Sequence, residues 1–216
     1  MNIIRVNFPD NQYVKKMSKK TQIIIHHTVS GPGIDGDVNW WKTTSDRVAT
    51  HFIIDRNGLI HQLFDTQYWA YALALKGDDF KRFGIPYKNL DESAIQIELD
   101  SWGPLNANLQ PIGNPKFGKV KYFYEYCPTA PFRSYRFYEM YYDKQLAALK
   151  ELLLDLTKQY NIPRKYNTNF FEQNRDALSG VPGIWGHVSY KSEKSGKSDP
   201  HPQIELINML KSLENA

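Results

Sequence analysis

Histidine, carboxylate and lysine recur in this 216-residue chain where they could assemble a hydrolytic metal centre. Ile23-Ile24-Ile25 runs directly into His26-His27-Thr28, and far downstream Gly186-His187 and Lys197-Ser198-Asp199-Pro200 bracket one loop. An open catalytic zinc site takes three protein ligands from His, Asp, Glu or Cys. A common layout has two ligands near in sequence and one distant, and His187, Asp199 and a histidine of the 26–27 pair fit it loosely. Lys197, two residues before Asp199, could donate to a developing oxyanion, and Glu98 could take a proton from water. Each has a plainer reading too. The histidines could be a satisfied core pair, Lys197 a solvated loop charge and Glu98 an exposed strand residue.

The elements that must position these groups are legible in part. Thr21 to Thr28 reads as a buried β-branched strand. Successive side chains on a strand face opposite ways, so one of His26 and His27 points to a site and the other packs or hydrogen-bonds behind it. Ser30-Gly31-Pro32-Gly33 breaks that strand, and a short helix is expected over Asp37–Lys42. Thr50–Asp55 and Leu59–Phe64 form a hairpin on the Asn57-Gly58 turn signal. Ser93–Asp100 alternates strictly as a half-buried strand, with Ile95, Ile97 and Leu99 on one face and Glu98 on the other. Asp143–Tyr160 is an amphipathic helix with Leu146, Leu149, Leu153, Leu156 and Tyr160 on one side, closed by Asn161-Ile162-Pro163. A final helix over Gln203–Leu213 places Ile204, Ile207 and Leu210 together. Residues 101–141 crowd aromatic side chains that serve as core cover or as a stacking platform, the first being the commoner use.

Composition bounds the rest. The apolar content of 41% is enough for a proper core, and no stretch approaches the ~20 apolar residues of a membrane span. Lys+Arg 27 against Asp+Glu 23 leaves +4, compatible with a polyanionic partner but equally with an ordinary solvated surface. The single cysteine, Cys127, excludes an intrachain disulfide and a multi-thiolate zinc site. No apolar leader with a cleavage site precedes the first strand. Scattered aromatics with mild basicity do not amount to a nucleic-acid footprint.

Taken in order, Ile23-Ile24-Ile25-His26-His27-Thr28, Ala49-Thr50-His51-Phe52-Ile53-Ile54-Asp55-Arg56-Asn57-Gly58, Ser93-Ala94-Ile95-Gln96-Ile97-Glu98-Leu99, the helix ending Tyr160-Asn161-Ile162-Pro163, Gly186-His187 and Lys197-Ser198-Asp199-Pro200 form a series. That series resembles the zinc-dependent N-acetylmuramoyl-L-alanine amidases of the type-2 family, which includes phage lysozyme-like amidases, cytoplasmic muropeptide-recycling amidases and peptidoglycan recognition proteins. The resemblance runs in patches from about residue 20 to 212.

The resemblance implies a single α/β domain over 21–213, after a lead-in at 1–20. It implies a mixed central β-sheet flanked by helices, a zinc cleft, and insertions at about 101–141 and 164–183. It assigns Zn2+ to His26, His187 and Asp199, selecting His26 over His27, and catalysis to Glu98 and Lys197. Two departures bear on substrate contacts. Thr50 stands where many members have tyrosine, and in Trp69-Ala70-Tyr71-Ala72 Tyr71 replaces an expected histidine. Thr50, Trp69 and Tyr71 are therefore the candidate substrate-binding residues. The implied reaction is hydrolysis of the amide between N-acetylmuramic acid and L-alanine, in peptidoglycan or muropeptides. The implied protein is monomeric, cytoplasmic as synthesised, and acts on the wall as an endolysin after release. The alternatives are a non-catalytic peptidoglycan-binding module, a cytoplasmic recycling enzyme, or a zinc amidohydrolase for another amide.

Overall fold

The computed structural model describes residues 2–28, 31 and 33–216. Ser30 and Pro32 of the expected strand break therefore lie outside the described residues. At the centre is a six-stranded sheet in the order β1 (Ile3–Arg5), β4 (Ile60–Gln62), β3 (Phe52–Ile54), β5 (Ala94–Leu99), β2 (Gln22–His27), β9 (Gly183–Gly186). The β3–β4 hairpin is antiparallel, and every other neighbouring pair is parallel. The sheet is thus mixed, as expected. The hairpin turn works through Gly58 at φ +83°, where a Cβ would lie 2.5 Å from the Lys144 carbonyl oxygen. Only glycine fits both demands.

Side-chain alternation divides the sheet into two faces. Ile23, Ile25, Phe52, Ile54, Ile95, Ile97 and Leu99 pack on α3 (Asp143–Tyr160) and α5 (Ile204–Ser212). The opposite face presents Ile53 to α1 (Asp35–Thr43) and Ile24 to α2 (Gly77–Lys81) and α4 (Arg175–Ser179). Helices on both faces bury β2 and β5 from end to end. The alternation in Ser93–Asp100 therefore marks two buried faces and not a half-buried strand. Its polar side is lined by Gln96 and Glu98, which are covered by neighbouring elements.

α3 keeps the boundaries its leucine spacing implies. It closes on Asn161 in the left-handed conformation, whose N–H reaches Thr157 O. Its buried Gln145 donates from Nε2 to Ile54 O and Asp100 O, closing carbonyls at the sheet end. The last helix differs from its sequence pattern. Leu206, Leu210 and Leu213 are buried, whereas Ile204 is 48% exposed. The groove between α3 and the sheet selects the 206/210/213 stripe, and sequence spacing allowed either.

The aromatic segment forms a second, three-stranded antiparallel sheet, β6 (Pro104–Leu105), β8 (Phe137–Glu139), β7 (Phe123–Glu125). Tyr138 is fully buried there, while Tyr122 is half exposed. The sheet is bolted to the main domain by Arg56, which donates to both Glu139 oxygens at 2.9 and 2.8 Å and pairs with Asp100 at 2.6 Å. Residues 2–20 contribute to the sheet and to the core. β1 forms a sheet edge, and Phe8 and Tyr13 pack with Phe64.

Candidate active site

β2 and β5 run parallel with His26 opposite Glu98, so both side chains leave the sheet on one face. The next residue, His27, turns to the other face and bonds Tyr141 Oη at 2.7 Å. β9 lies on the other side of β2 and ends at Gly186, which delivers His187 beside His26. A Cβ at Gly186 would lie 2.9 Å from both Phe170 Cε1 and Pro200 Cδ. Glycine is therefore what lets the Asp199 loop close over the strand end. Val188 N–H donates to Asp199 O at 2.9 Å and sets that loop.

The three side chains converge. Nδ1 of His26 and Nδ1 of His187 are 3.1 Å apart, His187 Nδ1 is 2.7 Å from Asp199 Oδ2, and His26 Nδ1 is 3.5 Å from it. All three residues are buried. Burial, reinforced by His187, pushes His26 down to about 4, so its imidazole is neutral. Burial alone would raise Asp199, but His187 and His26 outweigh it and hold the carboxyl well below its usual range. His187 Nε2 lies 3.3 Å from Leu73 O. A neutral His187 that donates Nε2–H there turns its Nδ1 lone pair on Asp199 and His26. Lone pairs and a carboxylate this close repel unless a proton, as in a His187–Asp199 hydrogen bond, or a metal cation sits among them. Ligand atoms around a tetrahedral zinc are roughly 3.3 Å apart, given bonds of ~2.0–2.1 Å. The observed spacings bracket that figure, so the donor set fits a metal ion.

The cluster opens into a cleft of about 510 Å³ whose walls include Asp37, Trp40 and Trp41 of α1, together with Thr50, Glu98, Ile112, Tyr135 and Lys197. Glu98 is buried there, and its Oε2 has no hydrogen-bond partner among the described residues. Burial, then repulsion from Asp199, raises its carboxyl well above the ordinary range. Lys197 is exposed on the cleft rim. Thr50 lines the cleft, but its hydroxyl is turned to Phe52 O at 3.1 Å. Trp69 and Tyr71 are not among the lining residues. Trp69 is buried against Tyr71, and its backbone bridges to Val14. A larger cleft, about 830 Å³, is lined by Arg82, Arg133 and Phe171 and holds none of the cluster.

The profile of the N-acetylmuramoyl-L-alanine amidase family, Amidase_2, matches residues 17–202. The chain belongs to that family. No curated protein sequence matches it. The fold of the amidase is similar to that of PlyL (TM-score 0.57, 14% identity, covering 99% of this chain and 98% of that one). It is also similar to a mutant endolysin from Bacillus subtilis (0.56, 15%, 99% and 99%). A third similar structure is AmpD (0.54, 16%, 98% and 93%). The enzyme class is thus N-acetylmuramoyl-L-alanine amidase, acting on peptidoglycan.

Sequence reasoning passed over Leu73, whose contribution is a backbone carbonyl and leaves no side-chain signal. It also passed over Trp40, which reaches the cleft from α1; Tyr135, one of the crowded aromatics of 101–141, reaches it from the segment between β7 and β8. The adjacent tryptophans of Asp37–Lys42 were the available sign, since Trp40 remains 57% exposed on a helix whose Trp41 is buried.

Proposed function

We propose that His26, His187 and Asp199 hold a zinc ion and that Glu98 and Lys197 carry out the proton and charge work of amide hydrolysis. The observation that carries this reading is the convergence of two imidazole nitrogens and a carboxylate oxygen, all within 4.8 Å, at the floor of the cleft. Zinc bound there supplies Lewis acidity, which polarises a carbonyl and acidifies water. Glu98 takes the proton of the attacking water and returns it to the alanine nitrogen as the carbon–nitrogen bond breaks. Its buried setting, then Asp199, raises the carboxyl well above the ordinary range, which makes its carboxylate a stronger base. Lys197 donates to the oxyanion as the carbonyl carbon becomes tetrahedral. Its side chain is free to swing over the rim, because the 192–197 loop is exposed apart from Ser192.

The proposed substrate is the lactyl–L-alanine amide of intact wall peptidoglycan, as for an endolysin, and the net charge of +4 suits that anionic polymer. Digestion of purified peptidoglycan followed by mass spectrometry tests this. Free N-terminal alanine and lactyl-bearing glycans should appear, vanish with a chelator and return with zinc. Full activity in both Glu98→Ala and Asp199→Ala, or an intact amide after incubation with zinc-loaded protein, would overturn the assignment.

A further inference from the structure

The three proposed ligands sit on three separate segments, and a metal site is only as well defined as the groups that hold those segments together. His26 and His187 are joined by the β2–β9 ladder. Asp199 lies on a loop outside the sheet and needs anchors of its own. One is the Val188–Asp199 backbone bond. Another runs through Tyr141, which is 1% exposed, on the sheet face opposite the cleft. Its hydroxyl oxygen accepts the His201 N–H at 3.0 Å, two residues beyond Asp199. The oxygen is also 2.7 Å from Nδ1 of His27, the residue after ligand His26. The oxygen thus takes the His201 N–H while sharing one proton with His27 Nδ1, on the side that the imidazole tautomer sets. One hydroxyl therefore spans the two ligand-bearing segments.

The surroundings hold that hydroxyl in place. Gln203 grips the Tyr141 backbone from both sides, its Oε1 accepting Tyr141 N–H at 2.7 Å and its Nε2 donating to Tyr141 O at 3.0 Å. The Tyr141 ring stacks on His201 at 4.3 Å. Tyr141 cannot meet substrate, since it lies behind the sheet.

On the proposed zinc site, we infer that Tyr141 is a positioning residue whose hydroxyl sets Asp199 against His26 and so tunes metal affinity. Tyr141→Phe keeps the ring and its stack and deletes the bridge. Zinc affinity of the full chain is read by competition with a chromophoric chelator, and ligand geometry by the visible spectrum of the cobalt-substituted protein. Tyr160→Phe is the comparison, because it also removes a tyrosine hydroxyl bond, to Thr66 at 2.5 Å, away from the ligands. The zinc Kd of Tyr141→Phe should rise about tenfold or more, with a shifted cobalt spectrum. Tyr160→Phe should change neither. Should Tyr141→Phe not fold, His27→Phe cuts the same bridge from its other end and should give the same rise. A bridge-deleted variant with the parent's Kd and spectrum overturns the positioning role while leaving the zinc site standing. A parent chain that binds no zinc overturns both.

Discussion

Acidification should destabilise this amidase through His51, a residue outside the metal cluster. His51 is buried at 1% exposure between two backbone partners: Nε2–H donates to Tyr68 O at 3.0 Å, and Nδ1 accepts Gln96 N–H at 3.0 Å. This arrangement requires the neutral ring, since a protonated Nδ1 cannot accept. Burial, then the charge of Lys20, pushes its pKa from 6.5 down to about 3. The folded value lies below the unfolded one, so between these limits the unfolded chain binds the extra proton. The stabilisation is complete above about pH 6.5 and drains away as pH falls toward about 3. At about pH 5 the loss from this one residue is RT ln(1 + 10^1.5), about 2 kcal/mol. Urea unfolding of the parent and of His51→Gln at about pH 7.5 and about pH 5 isolates it, because the other buried histidines are common to both chains. The parent should lose about 2 kcal/mol more than the variant over that interval. Equal losses would refute the claim that His51 is held neutral by its two backbone bonds.

Further outcomes follow from packing and from the site. Glu98→Gln should lower kcat by roughly 10²–10⁴-fold while the zinc stoichiometry by metal analysis stays that of the parent. Leu206→Ala should cost about 2–5 kcal/mol in urea titrations, and Ile204→Ala on the exposed side of the same helix within about 0.5. Equal costs would mean that the α5 face is wrongly placed. Arg56→Met strands Glu139 and Asp100 as buried carboxylates, and unfolding should show a loss of about 3 kcal/mol or more.

Local chemistry written in consecutive residues was readable from the chain alone. The β-branched run before His26, the Asn57-Gly58 turn and the leucine spacing of 143–160 depend on neighbours one to four positions away, and all three elements form as that spacing implies. Strand alternation alone also implied that His26 and His27 part to opposite faces. Other features needed the tertiary structure, because their cause lies far off in sequence. Gly183–Gly186 is too short and glycine-rich to announce a strand, and it becomes one only by pairing with β2. Ile3–Arg5 likewise becomes a strand only beside β4. Alternation put Glu98 on the face away from the isoleucines and left open a cleft or open solvent; the neighbouring walls bury it and raise its pKa. Trp69 and Tyr71 had the right types for substrate contact; Trp69 is buried and bridged to Val14, and of this segment it is Ala72 that lines the cleft. The distance between His187 and Asp199 along the chain conveys nothing of their 2.7 Å contact, which exists because Gly186 leaves room for the loop to close.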